Sequence, residues 1–386
     1  MHLVIVGATA PSHTYPSLAL VRELVARGHR VDYVIGGRLE ALVAPTGARV
    51  VAHPTLLPDT DAGWSGDPGA AMQLFLDEQI AVLPRVLALE RPDAVLYDIG
   101  GYAGRVAAHR WSVPAIQISP ASVAWEGYEE EMAEFYDALR ASPTGARYFA
   151  SARAWLDEHG VALSADAFLG RPAACVAVIP RVLQPHADRV GPQYVFAGPC
   201  IDEERIGEPG RWAAPAGETR PLVLLALGTA YTDREDLYRA AIDGLAGQFR
   251  LVLATGKVDP ARLGPLPDGV QAARTQPQLD VLHHADAFVT HAGMGSAAES
   301  LWFGVPTVAL PQAVDQFMNA ERLEAVGAGV RLADEDVTPE ALRRAVRGAL
   351  ARGRRARELR SEVRRAGGAG PAADAVEALA VAEASR

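Results

Sequence analysis

His13 and Asp98 are the residues of the N-terminal half best suited to move a proton. His13 closes the loop that follows an apolar run at residues 3–7, with Pro16 expected to open the helix behind it. A histidine at the carboxyl end of a strand can take a proton from a bound hydroxyl, and its ordinary pKa suits that near neutrality. Asp98 ends a second apolar run, 94–97, at the equivalent edge of the same expected sheet. A carboxylate there can hold one ring nitrogen, fix the tautomer and stabilise the imidazolium. Either residue alone also fits a structural role, an incidental loop histidine or a turn aspartate. The pair is what points to chemistry.

The C-terminal half carries a sharper motif at 290–299, THAGMGSAAE. A strand runs into a small-residue turn and a helix is expected to open at about Gly295. The unpaired amides of that helix start, with the macrodipole, make an anion site. His291 and Ser296 add donors suited to a diphosphate, with Gly293 and Gly295 giving the turn, and Glu299 can accept from ribose hydroxyls. A second strand–loop–helix transition, 310–319, places Asp315 beside Gln316. Together they offer acceptors and donors for vicinal sugar hydroxyls; separately they fit a helix cap and a surface amide.

Composition narrows the field. Acidic residues outnumber basic ones, 47 to 37, for a formal charge of -10, which disfavours a general nucleic-acid binder. Lys257 is the only lysine, so a lysine Schiff base is possible nowhere else; the arginine bias reads as coding bias. Cys175 and Cys200 are too few for a disulfide framework or a structural zinc site. The run 300–314 is too short and too proline-broken to span a membrane, and residues 1–8 read as a strand and not a signal peptide. A soluble, cytoplasmic protein is expected. The loop after the first strand, GATAPSH, lacks the dinucleotide fingerprint, and no P-loop occurs.

Elements that could position these residues alternate through both halves. Strands are expected at 3–7, 31–35, 49–51, 94–97, 115–118 and 175–179, then at 222–227, 251–254, 287–290, 307–310 and 329–332. Helices are expected at 16–27, 234–245, 278–284, 296–303 and 315–326, with a helical tail broken at 367–370. The reading is α/β, with two Rossmann-like, doubly wound parallel-sheet domains facing a cleft. Domain 1–205 would bind the acceptor and domain 222–366 a nucleotide sugar. Residues 206–221, rich in proline, glycine and charge, form the linker, and the helix at 367–386 is expected to pack back on the first domain.

In this order of residues the chain resembles the nucleotide-sugar-dependent glycosyltransferases of GT-B architecture, most closely actinomycete macrolide glycosyltransferases of the oleandomycin-inactivating type. The stretches that carry the likeness are 16–31, 124–134 (AWEGYEEEMAE), 184–190 (QPHADRV), 224–231 (LLALGTAY) and 289–319. The resemblance implies an inverting transfer with His13 as base and Asp98 as its partner. It assigns donor recognition to Gly228, Thr229, Gln278, His291, Gly293, Gly295, Ser296, Glu299, Asp315 and Gln316, with Thr275 at the base-stacking position. Three departures stand out. Thr275 replaces the family's stacking tryptophan in a W-x-P-Q segment; Pro11-Ser12-His13 replaces H-G-H; and Gly295 and Ala297 stand where relatives often carry asparagine and a hydroxyl residue.

The expected reaction moves glucose from UDP-glucose to a hydroxyl of a macrolide-like acceptor, inactivating the antibiotic. It needs no metal and no cofactor beyond the nucleotide-sugar co-substrate. The alternatives are a biosynthetic transferase using a dTDP-deoxysugar and a non-catalytic sugar-nucleotide or antibiotic-binding protein. Neither a nucleic acid nor a membrane is an expected partner, and the protein would be a monomer or homodimer. Trp125, Tyr128, Phe135, Tyr136, Tyr148, Phe149 and Trp155, around an acidic helix expected at 126–134, read either as core beside a solvated face or as an aromatic-walled acceptor pocket.

Overall fold

Apolar strand runs without alternation demand cover on both faces, and the computed structural model provides it. The structure describes residues 1–58, 63, 65–207, 212, 219–230, 232–313 and 315–384. The chain divides into two compact units. The first comprises Met1–Ile179, His186–Cys200 and Gly367–Arg386, and the second Pro180–Pro185 and Ile201–Ala366.

In the first unit β1 (His2–Val6), β2 (Arg30–Gly36), β3 (Arg49–His53), β4 (Ala94–Asp98), β5 (Ala115–Ser119), β6 (Ala174–Ala177) and β7 (Tyr194–Phe196) form one sheet in the order β3-β2-β1-β4-β5-β6-β7. All its pairings are parallel. Successive residues of β1 point to opposite faces. Leu3 and Ile5 join a core built with the Leu18–Ala26 and Ala369–Ala384 helices. Val4 and Val6 join another built with the Pro68–Leu87, Tyr102–Trp111 and Pro143–Glu158 helices. Each fully buried valine, leucine or isoleucine contributes about 1.5–3 kcal/mol, so neither face can be left bare.

The second unit repeats the plan with β8 (Leu222–Ala226), β9 (Arg250–Ala254), β10 (Val270–Ala273), β11 (Ala287–Thr290), β12 (Thr307–Ala309) and β13 (Gly329–Arg331), ordered β10-β9-β8-β11-β12-β13 and wholly parallel. In both sheets the order reverses beside the first strand, between β1 and β4 and between β8 and β11. Such switch points are where doubly wound sheets bind ligands, beyond the carboxyl ends of their strands.

Several details differ from the sequence reading. The edge strands β7 and β10 lie outside the expected set: β7 is an apolar run of only three residues, Tyr194-Val195-Phe196, too short to stand out, and β10 mixes Gln271 and two alanines with its single valine. The acidic segment is two helices, Tyr128–Glu131 and Ala133–Ala141. The second unit takes in residues from Ile201 onward, and Glu203 is held there by Trp302 Nε1 at 3.0 Å and Arg364 at 2.5 Å. It also includes Pro180–Pro185, where Arg322 donates to the Val182 carbonyl. Most of the expected linker 206–221 lies outside the described residues.

The C-terminal Ala369–Ala384 helix lies in the first unit. Ala372, Ala373 and Val376 are fully buried, and Arg27 and His29 bind Asp374 and Glu377. Its entry passes so close to Ala197 that a Cβ on Gly367 would sit 1.7 Å from that carbonyl oxygen. Only glycine fits there. No described helix is long and apolar enough to cross a membrane.

Candidate functional site

Residues 7–10 leave β1 and the chain turns at once into a helix, Pro11–Thr14. Pro11, and not Pro16, opens it: Ala10 is extended and its carbonyl accepts from the amides of His13 and Thr14, both at 3.1 Å. Proline suits the first helical position because its missing N–H would be unpaired there anyway. His13 therefore sits inside a helical turn, not at a loop end. The turn is braced from β2. Ser17 Oγ donates to the Thr14 carbonyl and lies 3.1 Å from the buried Tyr33 hydroxyl. Gly36 N donates to Thr9 Oγ1, and Arg38 to the Thr9 carbonyl.

Across the switch point, Asp98 is the last residue of β4, one past the Val6–Tyr97 pair. Its Oδ1 accepts from His13 Nδ1 at 2.9 Å and from Gly100 N at 2.8 Å. A carboxylate can only accept, so Nδ1 carries the proton and the ring's acceptor lone pair falls on Nε2. The backbone of Gly101 packs against the β1 end, where a Cβ would meet the Val6 carbonyl oxygen at 2.2 Å. Sequence reasoning missed these braces, although the Asp98-Ile99-Gly100-Gly101 run signals the tight turn. The dyad is buried on the aspartate side and partly open on the histidine side, with side-chain exposures of 10% and 27%.

In the second unit His291 follows β11, and Gly228 follows β8 on the other side of that switch point. The histidine ring is clasped by glycine backbones. A Cβ on Gly228 would lie 2.5 Å from its Cε1, and one on Gly293 2.4 Å from its Nε2. Gly228 and the non-glycine Ala292 both adopt positive φ to make this bend. Burial pushes the His291 pKa down to about 4, so the ring is neutral at physiological pH and brings no cationic charge to the site. Its Nδ1 is buried with no hydrogen-bond partner among the described residues. The helix behind it runs Met294–Phe303, one residue earlier than Gly295, with Gly293 as a cap that offers no side-chain hydrogen bond. Its first-turn amides receive no side-chain cap, the arrangement that suits a helix start to an anion.

Gln278 opens the Gln278–His284 helix, and its Nε2 donates to Glu299 Oε2 at 2.5 Å and to Ser296 Oγ at 3.4 Å. Three of the expected donor-binding side chains are therefore in one cluster. Burial raises the Glu299 carboxyl to about 7 against the opposing Gln278 hydrogen bond. Asp315 caps the Gln316–Ala325 helix, and its Oδ2 accepts from the buried Asn319 amide at 2.9 Å. Gln316 differs from expectation. Its Oε1 accepts from the backbone amides of Gln312 and Ala313, at 2.8 and 3.2 Å, so the oxygen secures the loop and only the amide nitrogen remains for a sugar. Thr229 and Thr275 are exposed. Val314 and Tyr231, in two of the motif stretches, lie outside the described residues.

The aromatic cluster divides. Tyr148 and Trp155 are core residues of the first unit, which fits the bland alternative for those two. Trp125 and Tyr128 meet edge to face at 4.9 Å, while Phe135 is 46% exposed. Among the described residues no group of three histidine, cysteine or carboxylate side chains is arranged to hold a metal ion. Both cysteines are buried and unpaired.

Known proteins match this arrangement along nearly the whole chain. Residues 249–381 match the family described as erythromycin biosynthesis protein CIII-like, C-terminal domain. The chain is similar to oleandomycin glycosyltransferase of Streptomyces antibioticus, at 42% identity over 98% of this chain and 90% of the relative. Demethyllactenocin mycarosyltransferase of Streptomyces fradiae is 30% identical, over 98% and 86%. Among solved structures, the glycotransferase of kitacinnamycin has a TM-score of 0.89 at 39% identity, covering 98% of both chains.

Proposed function

The chain belongs to the GT-B nucleotide-sugar-dependent glycosyltransferases, and we propose that it moves glucose from UDP-glucose to a hydroxyl of a macrolide-type acceptor, with inversion at the anomeric carbon. The observation that carries this reading is the 2.9 Å contact between His13 Nδ1 and Asp98 Oδ1 at the first sheet's switch point. An alcohol is a weak nucleophile at neutral pH. His13 Nε2 takes its proton as the oxygen attacks, the new C–O bond forms, and the bond to the diphosphate breaks. Asp98 stabilises the resulting imidazolium. The charge that develops on the diphosphate meets the first-turn amides of the Met294–Phe303 helix and the neutral His291 donor. Fixed dipoles of this kind supply the stabilisation without a metal. Glu299 and Gln278 receive the ribose, and Asp315 with the Gln316 amide nitrogen receives hexose hydroxyls.

Release of UDP from UDP-glucose in the presence of a macrolide, with a product one hexose heavier, tests the assignment. The product should also have lost antibacterial activity if the enzyme confers resistance. No UDP release with any macrolide would contradict the proposal, and would favour the binding-protein alternative. A second reading, a biosynthetic transferase using a dTDP-deoxysugar, is favoured by the similarity to a mycarosyltransferase; Thr275 at the stacking position weakens base stacking for either donor. A Thr275→Trp variant should tighten donor binding by about 1 kcal/mol if the base stacks there. Calorimetry with UDP and dTDP separates the two donors; an unchanged affinity for both would place the base elsewhere.

A further inference from the structure

Residues 339–366 hold ten arginines against three glutamates, in a chain whose formal charge is -10. They form two helices of the second unit, Pro339–Leu350 and Gly353–Ala366. Many of these arginines have visible work. Arg354 and Arg355 pair with Glu358, and Arg355 also with Glu362. Arg343 and Arg347 donate to the Gly244 carbonyl and to Gln248. Arg357, Arg360 and Arg364 fall on one helix face. Arg364 binds Glu203 at 2.5 Å and lies over the Trp302 ring. No carboxylate of the described residues pairs with Arg357 or Arg360.

Both line a cavity of about 260 Å³. Its apolar wall is Phe303, Pro306 and Leu350, and the Gly353–Ala366 helix begins at its edge. Asp286 is the one carboxylate in the lining, and its Oδ2 accepts from Leu222 N at 2.8 Å. The helix carrying the arginines is pressed onto the turn at Gly304, where a Cβ would meet Arg360 Cδ at 3.1 Å and Arg357 Cα at 3.3 Å. Asp286 and Pro306 immediately precede β11 and β12, so the cavity lies at the amino ends of these strands. His291 and Ser296 lie beyond the carboxyl ends, at the opposite edge of the sheet. The cavity is a separate place from the donor residues.

We propose that this cavity binds a small molecule with a phosphate group and an apolar body. Two guanidinium groups and a helix start suit a phosphate dianion, while Phe303 and Leu350 suit the body. Phenyl phosphate is the probe, titrated into the full chain by calorimetry beside inorganic phosphate and phenol. A saturable phenyl phosphate site is expected, weakened about tenfold or more in the double variant Arg357→Ala/Arg360→Ala with glycosyl transfer unchanged. Arg354→Ala, a paired arginine on the same helix, should leave it intact. The lysine pair Arg357→Lys/Arg360→Lys keeps charge and fold and should weaken binding less. Identical isotherms for the wild type and both double variants, no saturable binding, or an equal loss in Arg354→Ala would overturn the site. Inorganic phosphate binding as tightly as phenyl phosphate would overturn the ligand class.

Discussion

Glu299 is half-buried, and desolvation raises its carboxyl to about 7 despite the Gln278 hydrogen bond and the nearby Arg205 charge, which has a stability consequence. The folded protein binds this proton more tightly than the unfolded chain does. Its contribution is therefore present below the ordinary glutamate range and is lost as pH rises through 7. Glu299→Gln removes the ionisation, so the variant's melting temperature relative to wild type should climb between pH 5 and pH 8. A difference that stays constant would show that the carboxyl is not so buried. Asp315 allows a prediction about donors. If it binds hydroxyls of the hexose, Asp315→Ala should slow transfer of glucose more than transfer of a 4-deoxysugar, because only glucose leaves a polar group unpaired. That difference is worth about 1–3 kcal/mol. Equal losses in kcat/KM for the two donors would remove Asp315 from sugar recognition.

The turn between β11 and the Met294–Phe303 helix contains two glycines with opposite tolerances. A Cβ on Gly293 would collide with the His291 ring, whereas one on Gly295 meets nothing within 4 Å among the described residues. Gly293→Ala should weaken nucleotide binding by displacing the ring, and Gly295→Ala should leave melting temperature and donor affinity unharmed. Calorimetry and thermal melts check both, and equal effects would contradict the clasp. Elements of this kind were largely legible in the sequence. The central strands announce themselves as apolar runs because both their faces are covered. His13, Asp98 and His291 could be placed beyond the carboxyl ends of β1, β4 and β11 because strand ends are readable. The short edge strands β7 and β10 could not be read, nor could the helical turn at Pro11, because four residues opened by a proline show no helical period. The direction of the Gln316 oxygen was equally hidden, since a side chain's choice between a sugar and its own loop depends on backbone geometry that spacing does not encode.

The chain as a whole repeats one sheet plan twice and then returns its last helix to the first unit. Gly367→Ala, with a Cβ 1.7 Å from the Ala197 carbonyl oxygen, should unseat that helix. Thermal melting should fall by several degrees and hydrogen exchange in the Leu18–Ala26 helix, its packing partner, should quicken; an unchanged melt would mean the entry can relax cheaply. The proposed reaction divides its labour between the units, proton transfer in the first and nucleotide binding in the second. His13→Ala separates them most directly. Its turnover with a hydroxyl acceptor should fall by about 10²–10⁴-fold, the usual worth of a positioned base, while calorimetry should show donor affinity within about twofold of wild type. Asp98→Asn should cost less, and the double variant little more than His13→Ala, because both residues serve one proton transfer. A His13→Ala enzyme with near-normal turnover would contradict the account.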